Sequence, residues 1–125
     1  MSYNDLMSDY VARINNANMV SNEIVVVRKN NLVISVSKKL VTLGYLKDFS
    51  VDTENNNLSL TLNKDKIQKL IRVSTPGHRK YHGFDSMPRL TGGIGFLILT
   101  TSKGIKTQVE AHKEKIGGEV LFSIV

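Results

Sequence analysis

Residues 95–125, GFLILTTSKGIKTQVEAHKEKIGGEVLFSIV, decide the fold of the second half of the chain. Residues 95–101 are mostly apolar and predict a buried strand. Thr107 and Glu110 have the spacing of a capping box, in which hydroxyl and carboxylate satisfy each other's backbone amides, so a helix begins there. Gly117-Gly118 ends this helix after about two to three turns, and residues 120–125 predict a terminal strand.

The first half of the chain alternates helical and extended patterns. Leu6, Tyr10 and Ile14 recur at helical spacing, which predicts an amphipathic helix over residues 4–18. The β-branched residues 23–29 predict a buried strand.

A second helix is predicted from about Asn31, capped by Asn30 or Asn31 and ended by Gly44. Its inward-facing positions are Leu32, Val36, Leu40 and Leu43. Residues 46–52 and 58–62 follow as a hairpin across an Asn-rich turn.

Together these elements predict an α+β fold of two small subdomains. Residues 1–66 form an N-terminal α-β-α-β-β subdomain. Residues 67–125 form a C-terminal subdomain that is mainly β with a short helix, and its first strand covers residues 67–74. By length alone, a chain of 125 residues fits either one compact body or two small subdomains that share a core.

Charge is distributed unevenly along the chain. The net charge is +6, from 17 basic and 11 acidic residues. Residues 1–63 hold six of each sign, so the whole excess lies in residues 64–125. A basic half indicates a polyanionic partner, although a lysine-rich surface also serves solubility alone.

Several functional classes are excluded by composition. The chain has no cysteine, so it has no thiolate metal site, disulfide or cysteine nucleophile. Its apolar runs are too short to span a bilayer, and its start resembles no targeting peptide. We therefore expect that the protein works where it is made, or that a presequence is missing from this sequence, and we expect no contact to a membrane.

No catalytic constellation is readable, and no enzyme, metal or cofactor is expected. His78 and His82 have the i, i+4 spacing of a helical metal pair, but flanking glycines and Pro76 argue against a helix there. Gly92-Gly93 precedes a strand, whereas the glycines of phosphate loops open a helix. Ser102 lacks a nucleophile elbow around it.

Residues 100–107, TTSKGIKT, combine four hydroxyls and two lysines in a loop between a buried strand and a capped helix. Hydroxyls can bond base edges and ribose, and lysines can neutralise phosphates. A second basic patch holds Arg79, Lys80 and Arg89 around Tyr81, whose ring could stack on an unpaired base or lie in the core. Both segments favour RNA as the partner, with a polar surface turn as the alternative for the loop.

Four stretches carry a resemblance to a known family. They are a first helix with Asp5, Asp9, Arg13-Ile14 and Asn16; residues 43–49, LGYLKDF; residues 74–81, STPGHRKY; and residues 100–104, TTSKG, with Thr107 and residues 117–120, GGEV. In this order, over the whole chain, they resemble the universal small-subunit ribosomal protein eight family, of bacterial or organellar type.

The resemblance implies a two-part α/β protein that binds the central domain of small-subunit ribosomal RNA early in assembly, beside neighbouring small-subunit proteins. By matching position, Thr101, Ser102 and Lys103 would contact an irregular RNA helix, Tyr81 would pack on a base or ribose, and Glu119 would accept from a base edge. The RNA-binding residues expected in all are Thr100, Thr101, Ser102, Lys103, Gly104, Arg79, Tyr81, Glu119, Lys106, Lys113, Arg13 and Lys29.

Some positions depart from the family pattern. Thr75 stands where the family has an arginine before Pro-Gly, and Gln108, Val109 and His112 follow Thr107 where an acid and arginines are usual. Asn15 and Asn30-Asn31 are further departures. Because of these departures, it is open whether the N-terminal part makes the family's phosphate contacts. The departures do not affect the hydroxyl-rich loop of residues 100–107.

The alternatives to a ribosomal protein are a non-ribosomal RNA-binding or chaperone module, a protein-interaction adaptor, and an enzyme that uses His78 or His82. The abundance of Lys and Asn over Arg is compatible with an AT-rich genome. The expected location is therefore the small subunit of a mitochondrial or bacterial ribosome, with the organellar one slightly favoured.

Overall fold

The computed structural model describes residues 3–67, 69–73, 80–83 and 95–125, with the side chains of residues 3–5 excepted. These ranges contain helices and antiparallel strands, which confirms the predicted α+β class. In chain order the elements are α1 (Tyr3–Met19), β1 (Ile24–Arg28), α2 (Asn31–Leu43), β2 (Leu46–Asp52), β3 (Asn57–Leu62), β4 (Leu70–Arg72), β5 (Tyr81–His82), β6 (Phe96–Thr101), β7 (Gly104–Thr107), α3 (Gln108–Lys113) and β8 (Gly118–Ile124).

The chain forms two compact units, Met1–Lys69 and Leu70–Val125. Ile67 is buried in the first unit, and its N–H donates to the Asn63 carbonyl at 3.0 Å. The strand predicted over residues 67–74 is consequently short and begins at Leu70. Residue 74 lies outside the described residues. The division into subdomains 1–66 and 67–125 stays a prediction.

The first unit is a three-stranded antiparallel sheet of order β1-β3-β2, with α1 packed against β1 and α2 against β2. Side chains alternate along β3 because successive residues of a strand point to opposite faces. Its three leucines are fully buried, and the residues between them are half-buried. The fully buried core of this unit includes Met7, Tyr10, Ile14, Val33, Val36, Leu40, Leu58, Leu60 and Leu62.

Helix α2 begins and ends where its flanking residues predict. The Asn30 side chain accepts a hydrogen bond from the Val33 N–H at 2.7 Å, so Asn30 is the N-cap. Gly44 ends the helix with φ of +89°, a conformation that favours glycine. Its buried residues are Val33, Val36, Ser37 and Leu40. Leu32 and Leu43, predicted to face inward, are half-buried.

Residues 23–29 contain the predicted strand, β1, but the prediction that this strand is buried is wrong. β1 is an edge strand, and the Ile24 and Val26 side chains are 64% and 44% exposed. Val27 is buried because it pairs with Leu58 on the core face of the sheet. Ile24 and Val26 alternate with Val27 and therefore lie on the opposite face.

The second unit is a five-stranded antiparallel sheet of order β4-β8-β6-β7, with β5 paired to β8. β8 lies at its centre, and Val120, Leu121, Phe122 and Ile124 are buried there. From β6, Leu97, Ile98 and Leu99 join this core. α3 packs against β6 and β7 through the buried Ala111. None of the described helices is long and apolar enough to cross a membrane.

Candidate nucleic-acid interface

The segment predicted as a loop over residues 100–107 is a β-hairpin. In this hairpin, Ile98 of β6 pairs with Thr107 of β7 at one end and Thr101 pairs with Gly104 at the other. Only Ser102 and Lys103 therefore remain as the turn. The prediction of a loop reaching as far as α3 is therefore wrong. The physical reason is Gly104, whose φ of +102° lets the chain re-enter the sheet directly after the turn.

The geometry of this turn follows from its backbone angles. Ser102 and Lys103 are not among the non-glycine residues with positive φ, so the turn is neither type I′ nor type II′. The pairing of β6 with β7 is regular up to Thr101 and Gly104, and the left-handed conformation lies on Gly104, the first residue after the turn. Ser102, Lys103 and Gly104 are exposed, so the turn projects away from the protein's own core.

The Thr101 side chain closes the turn. Its Oγ1 donates a hydrogen bond to the Gly104 carbonyl at 2.7 Å and accepts one from the Lys103 N–H at 3.1 Å. Bonds of this kind to nearby backbone groups are typical of threonine in turns.

Thr107, the last residue of the segment, caps helix α3. Its Oγ1 accepts from the Glu110 N–H at 3.2 Å, and the Glu110 carboxylate accepts from the Thr107 N–H at 3.1 Å. This confirms the capping box at the start of α3. It also buries Thr107, so the fourth hydroxyl of the segment belongs to the helix cap and not to an exposed loop.

The lysines of the site differ in their surroundings. Lys103 is exposed at the turn, and Lys113 is exposed in the last turn of α3. Lys106 is half-buried, and its Nζ lies 3.2 Å from the Glu114 Oε2. The charge of Lys106 is therefore compensated within the protein, whereas no ion pair is described for Lys103.

Three candidate residues form one row across the sheet. Glu119 of β8 pairs with Tyr81 on one side and with Thr100 on the other. Directly paired residues of antiparallel strands place their side chains on the same face. The Tyr81 side chain is 63% exposed, which excludes the core alternative for its ring, while Glu119 is only 3% exposed. Thr100, half-buried, precedes the Thr101 that closes the turn.

The remaining candidates lie elsewhere. Arg79 falls outside the described residues. In the first unit, the Arg13 guanidinium donates to both oxygens of Asp9, at 3.0 and 2.9 Å, and to the Val26 carbonyl at 3.3 Å. Lys29 is half-buried, and its backbone N–H bonds the Asn56 carbonyl. The RNA-binding roles of all these residues stay predictions.

Gly118 is a residue whose part in the site the sequence did not reveal. A Cβ atom there would lie 2.3 Å from the Thr100 carbonyl oxygen and 2.9 Å from the Thr101 Cγ2. The glycine therefore allows the hairpin to approach β8 closely. A glycine next to an apolar strand run can indicate such an approach, but here the pair Gly117-Gly118 was interpreted only as the end of a helix.

Comparison with known proteins identifies the family. The family model described as ribosomal protein S8 matches residues 5–125. Proteins named small ribosomal subunit protein uS8 are similar over nearly their whole length. The one from Pelagibacter ubique is 35% identical over 99% of both chains. Those from Phocaeicola vulgatus and Caldicellulosiruptor bescii are 41% and 40% identical, with 94% of this chain and 95% and 94% of theirs covered.

The matched family consists of structural ribosomal proteins and not of enzymes, which confirms that no catalytic activity is to be expected. The resemblance carried by the four sequence stretches is confirmed as well, because the match covers all of them. On a family model that spans almost the whole chain, and on relatives of this similarity, the chain belongs to the ribosomal protein S8 family.

Proposed function

We propose that this protein is a structural constituent of the small ribosomal subunit. It binds the central domain of small-subunit ribosomal RNA, lies beside neighbouring small-subunit proteins, and supports the assembly of the subunit. The binding surface is formed by the turn at Ser102 and Lys103 and by the row of Tyr81, Glu119 and Thr100.

The observation that carries this proposal is the exposed turn on a fixed hairpin. Ser102 offers a hydroxyl and Lys103 a cation at adjacent positions, and both are exposed. Because the hairpin is part of the core sheet, it loses little conformational freedom when RNA binds. Lysine supplies affinity for phosphate, while the hydroxyl can recognise a base edge or a ribose 2′-OH.

The exposed ring of Tyr81 supports RNA with unpaired nucleotides as the ligand. Base stacking on an aromatic ring needs an accessible face, and regular A-form helices offer none of their bases for stacking. The Tyr81 ring lies on the same sheet as the turn, separated from Thr100 by β8. The distance across two strand spacings is about 10 Å, which an irregular RNA helix can bridge.

A filter-binding titration with a central-domain ribosomal RNA fragment tests the proposal. We expect Ser102→Ala to weaken specific binding by about 1–3 kcal/mol. Ser35→Ala is a matched control, because Ser35 is also exposed but lies on α2 in the first unit. Unchanged affinity of Ser102→Ala would remove the hydroxyl from the interface. Equal affinity of the unaltered protein for a scrambled fragment would instead indicate a general RNA chaperone.

The organisms of the relatives bear on whether the ribosome is bacterial or organellar. The three named above come from bacteria, so they do not support the preference for an organelle that composition suggested. Sedimentation of the protein with the small subunit, in fractionated cells, would test both the assembly and its compartment.

A further inference from the structure

We infer that Thr101 is a positioning residue, whose hydroxyl holds the turn in the shape in which Ser102 and Lys103 meet RNA. Its hydroxyl does not donate a hydrogen bond to RNA. This inference deepens the proposed function and rests on it.

The hydrogen bonds of Thr101 leave no donor for a ligand. A threonine hydroxyl has one hydrogen to donate, and here it is donated to the Gly104 carbonyl at 2.7 Å. One acceptor position is used by the Lys103 N–H at 3.1 Å. A direct donation to RNA would have to break the shorter of these two bonds, so the hydroxyl serves the turn.

The methyl group of Thr101 is fixed as well. Its Cγ2 lies so close to Gly118 that a Cβ atom on that glycine would be 2.9 Å away. The hydroxyl and the methyl group of the side chain therefore make separate contacts. The hydroxyl joins both sides of the turn, and the methyl group packs against β8.

The neighbouring side chains have the opposite character. Ser102 and Lys103 are exposed, and the described part of the chain contains no hydrogen bond or ion pair from either side chain. Their backbone, however, is held by Thr101 through the Lys103 N–H. A turn that is already ordered in the free protein loses less conformational entropy on binding, so Thr101 contributes to affinity without contact to RNA.

Two substitutions separate the hydroxyl from the shape of the side chain. Thr101→Val keeps the branched shape and removes the hydroxyl, whereas Thr101→Ser keeps the hydroxyl and removes the methyl group. We expect Thr101→Val to weaken binding of the central-domain RNA fragment by about three- to tenfold, the equivalent of one lost hydrogen bond. Thr101→Ser should remain within about twofold of the unaltered protein.

Positioning and direct contact differ in two further measurements. In the free protein, Thr101→Val should accelerate hydrogen exchange of the Lys103 amide, and Thr101→Ser should restore the slow rate. In the Ser102→Ala/Lys103→Ala background, Thr101→Val should change RNA affinity by less than about twofold, because a positioning residue acts through those two side chains.

The outcomes separate the inference from the proposed function. An unchanged exchange rate in Thr101→Val, or a loss of affinity that stays the same in the Ser102→Ala/Lys103→Ala background, would overturn the role of Thr101 and leave the proposed function intact. If the unaltered protein showed no preference for the central-domain fragment over a scrambled one, the proposed function would fail, and the inference with it.

Discussion

Replacement of Lys103 by methionine should lower the salt dependence of RNA binding by one phosphate contact. Lys103 is exposed at the turn between β6 and β7, and the described residues include no acid paired with it. Its cation is therefore available to displace a condensed counterion from RNA. One such contact changes the slope of log K against log salt by about 0.7 for a single strand and about 0.9 for a duplex.

The size of the effect can be followed through a fourfold change in salt. From about 50 mM to about 200 mM salt, a slope difference of this size changes the ratio of the affinity of the unaltered protein to that of Lys103→Met by about threefold. The disadvantage of Lys103→Met should therefore be about threefold larger at the low-salt end of a filter-binding series. Affinity for the central-domain RNA fragment, measured at four or more salt concentrations, gives both slopes.

The matched control is the double substitution Lys106→Met with Glu114→Gln. It removes the ion pair whose charged atoms lie 3.2 Å apart, so the net charge of the protein is unchanged. Because Lys106 is already compensated, the slope should stay that of the unaltered protein. Equal slopes for Lys103→Met and the unaltered protein would refute the assignment of Lys103. A lower slope for the control would show that Lys106 also reaches a phosphate.

Three further predictions concern stability. Gly118→Ala should lower the free energy of unfolding in urea by about 1–3 kcal/mol, because its Cβ would lie 2.3 Å from the Thr100 carbonyl oxygen and force β6 and β8 apart. Burial raises the pKa of Tyr10 above its usual value, so the folded state holds that proton more tightly. The contribution of Tyr10 to stability should be constant below about pH 10 and be lost above it, so the free energy of unfolding should fall less in that alkaline range in Tyr10→Phe. Thr107→Ala should cost about 1 kcal/mol in the same urea assay, and Thr107→Ser should restore most of it, because serine also caps helices.

Signals that lie within a few residues of each other were readable from the sequence. The capping box at Thr107 and the N-cap at Asn30 involve atoms no more than three residues apart, so the pattern contains the whole interaction. The alternation of leucines along β3 is equally local, and the strand predicted over residues 58–62 is present with all three leucines buried. The candidate turn was also found in this way, from its run of hydroxyls and lysines.

Features that depend on the order of strands were not readable. β1 was predicted to be buried because its residues are β-branched, but its place at the edge of the sheet exposes Ile24 and Val26. The close approach at Gly118 involves strands that are distant in sequence. The burial of Glu119 also depends on distant strands, since β8 is paired with β5 along one edge and with β6 along the other. No local pattern distinguishes this carboxylate from an exposed one.

The position of Glu119 constrains how RNA can lie on the proposed surface. Its carboxylate is buried in a row whose other members, the exposed Tyr81 and the half-buried Thr100, are uncharged, while the cation of Lys103 is at the turn. The row offers a phosphate no cation, whereas Lys103 offers one at the turn. We therefore expect the RNA backbone to pass the turn, with a base or ribose over Tyr81. A structure of the complex with a phosphate directly above Glu119 would contradict this arrangement. A Tyr81→Leu variant that binds RNA as tightly as the unaltered protein would contradict it as well.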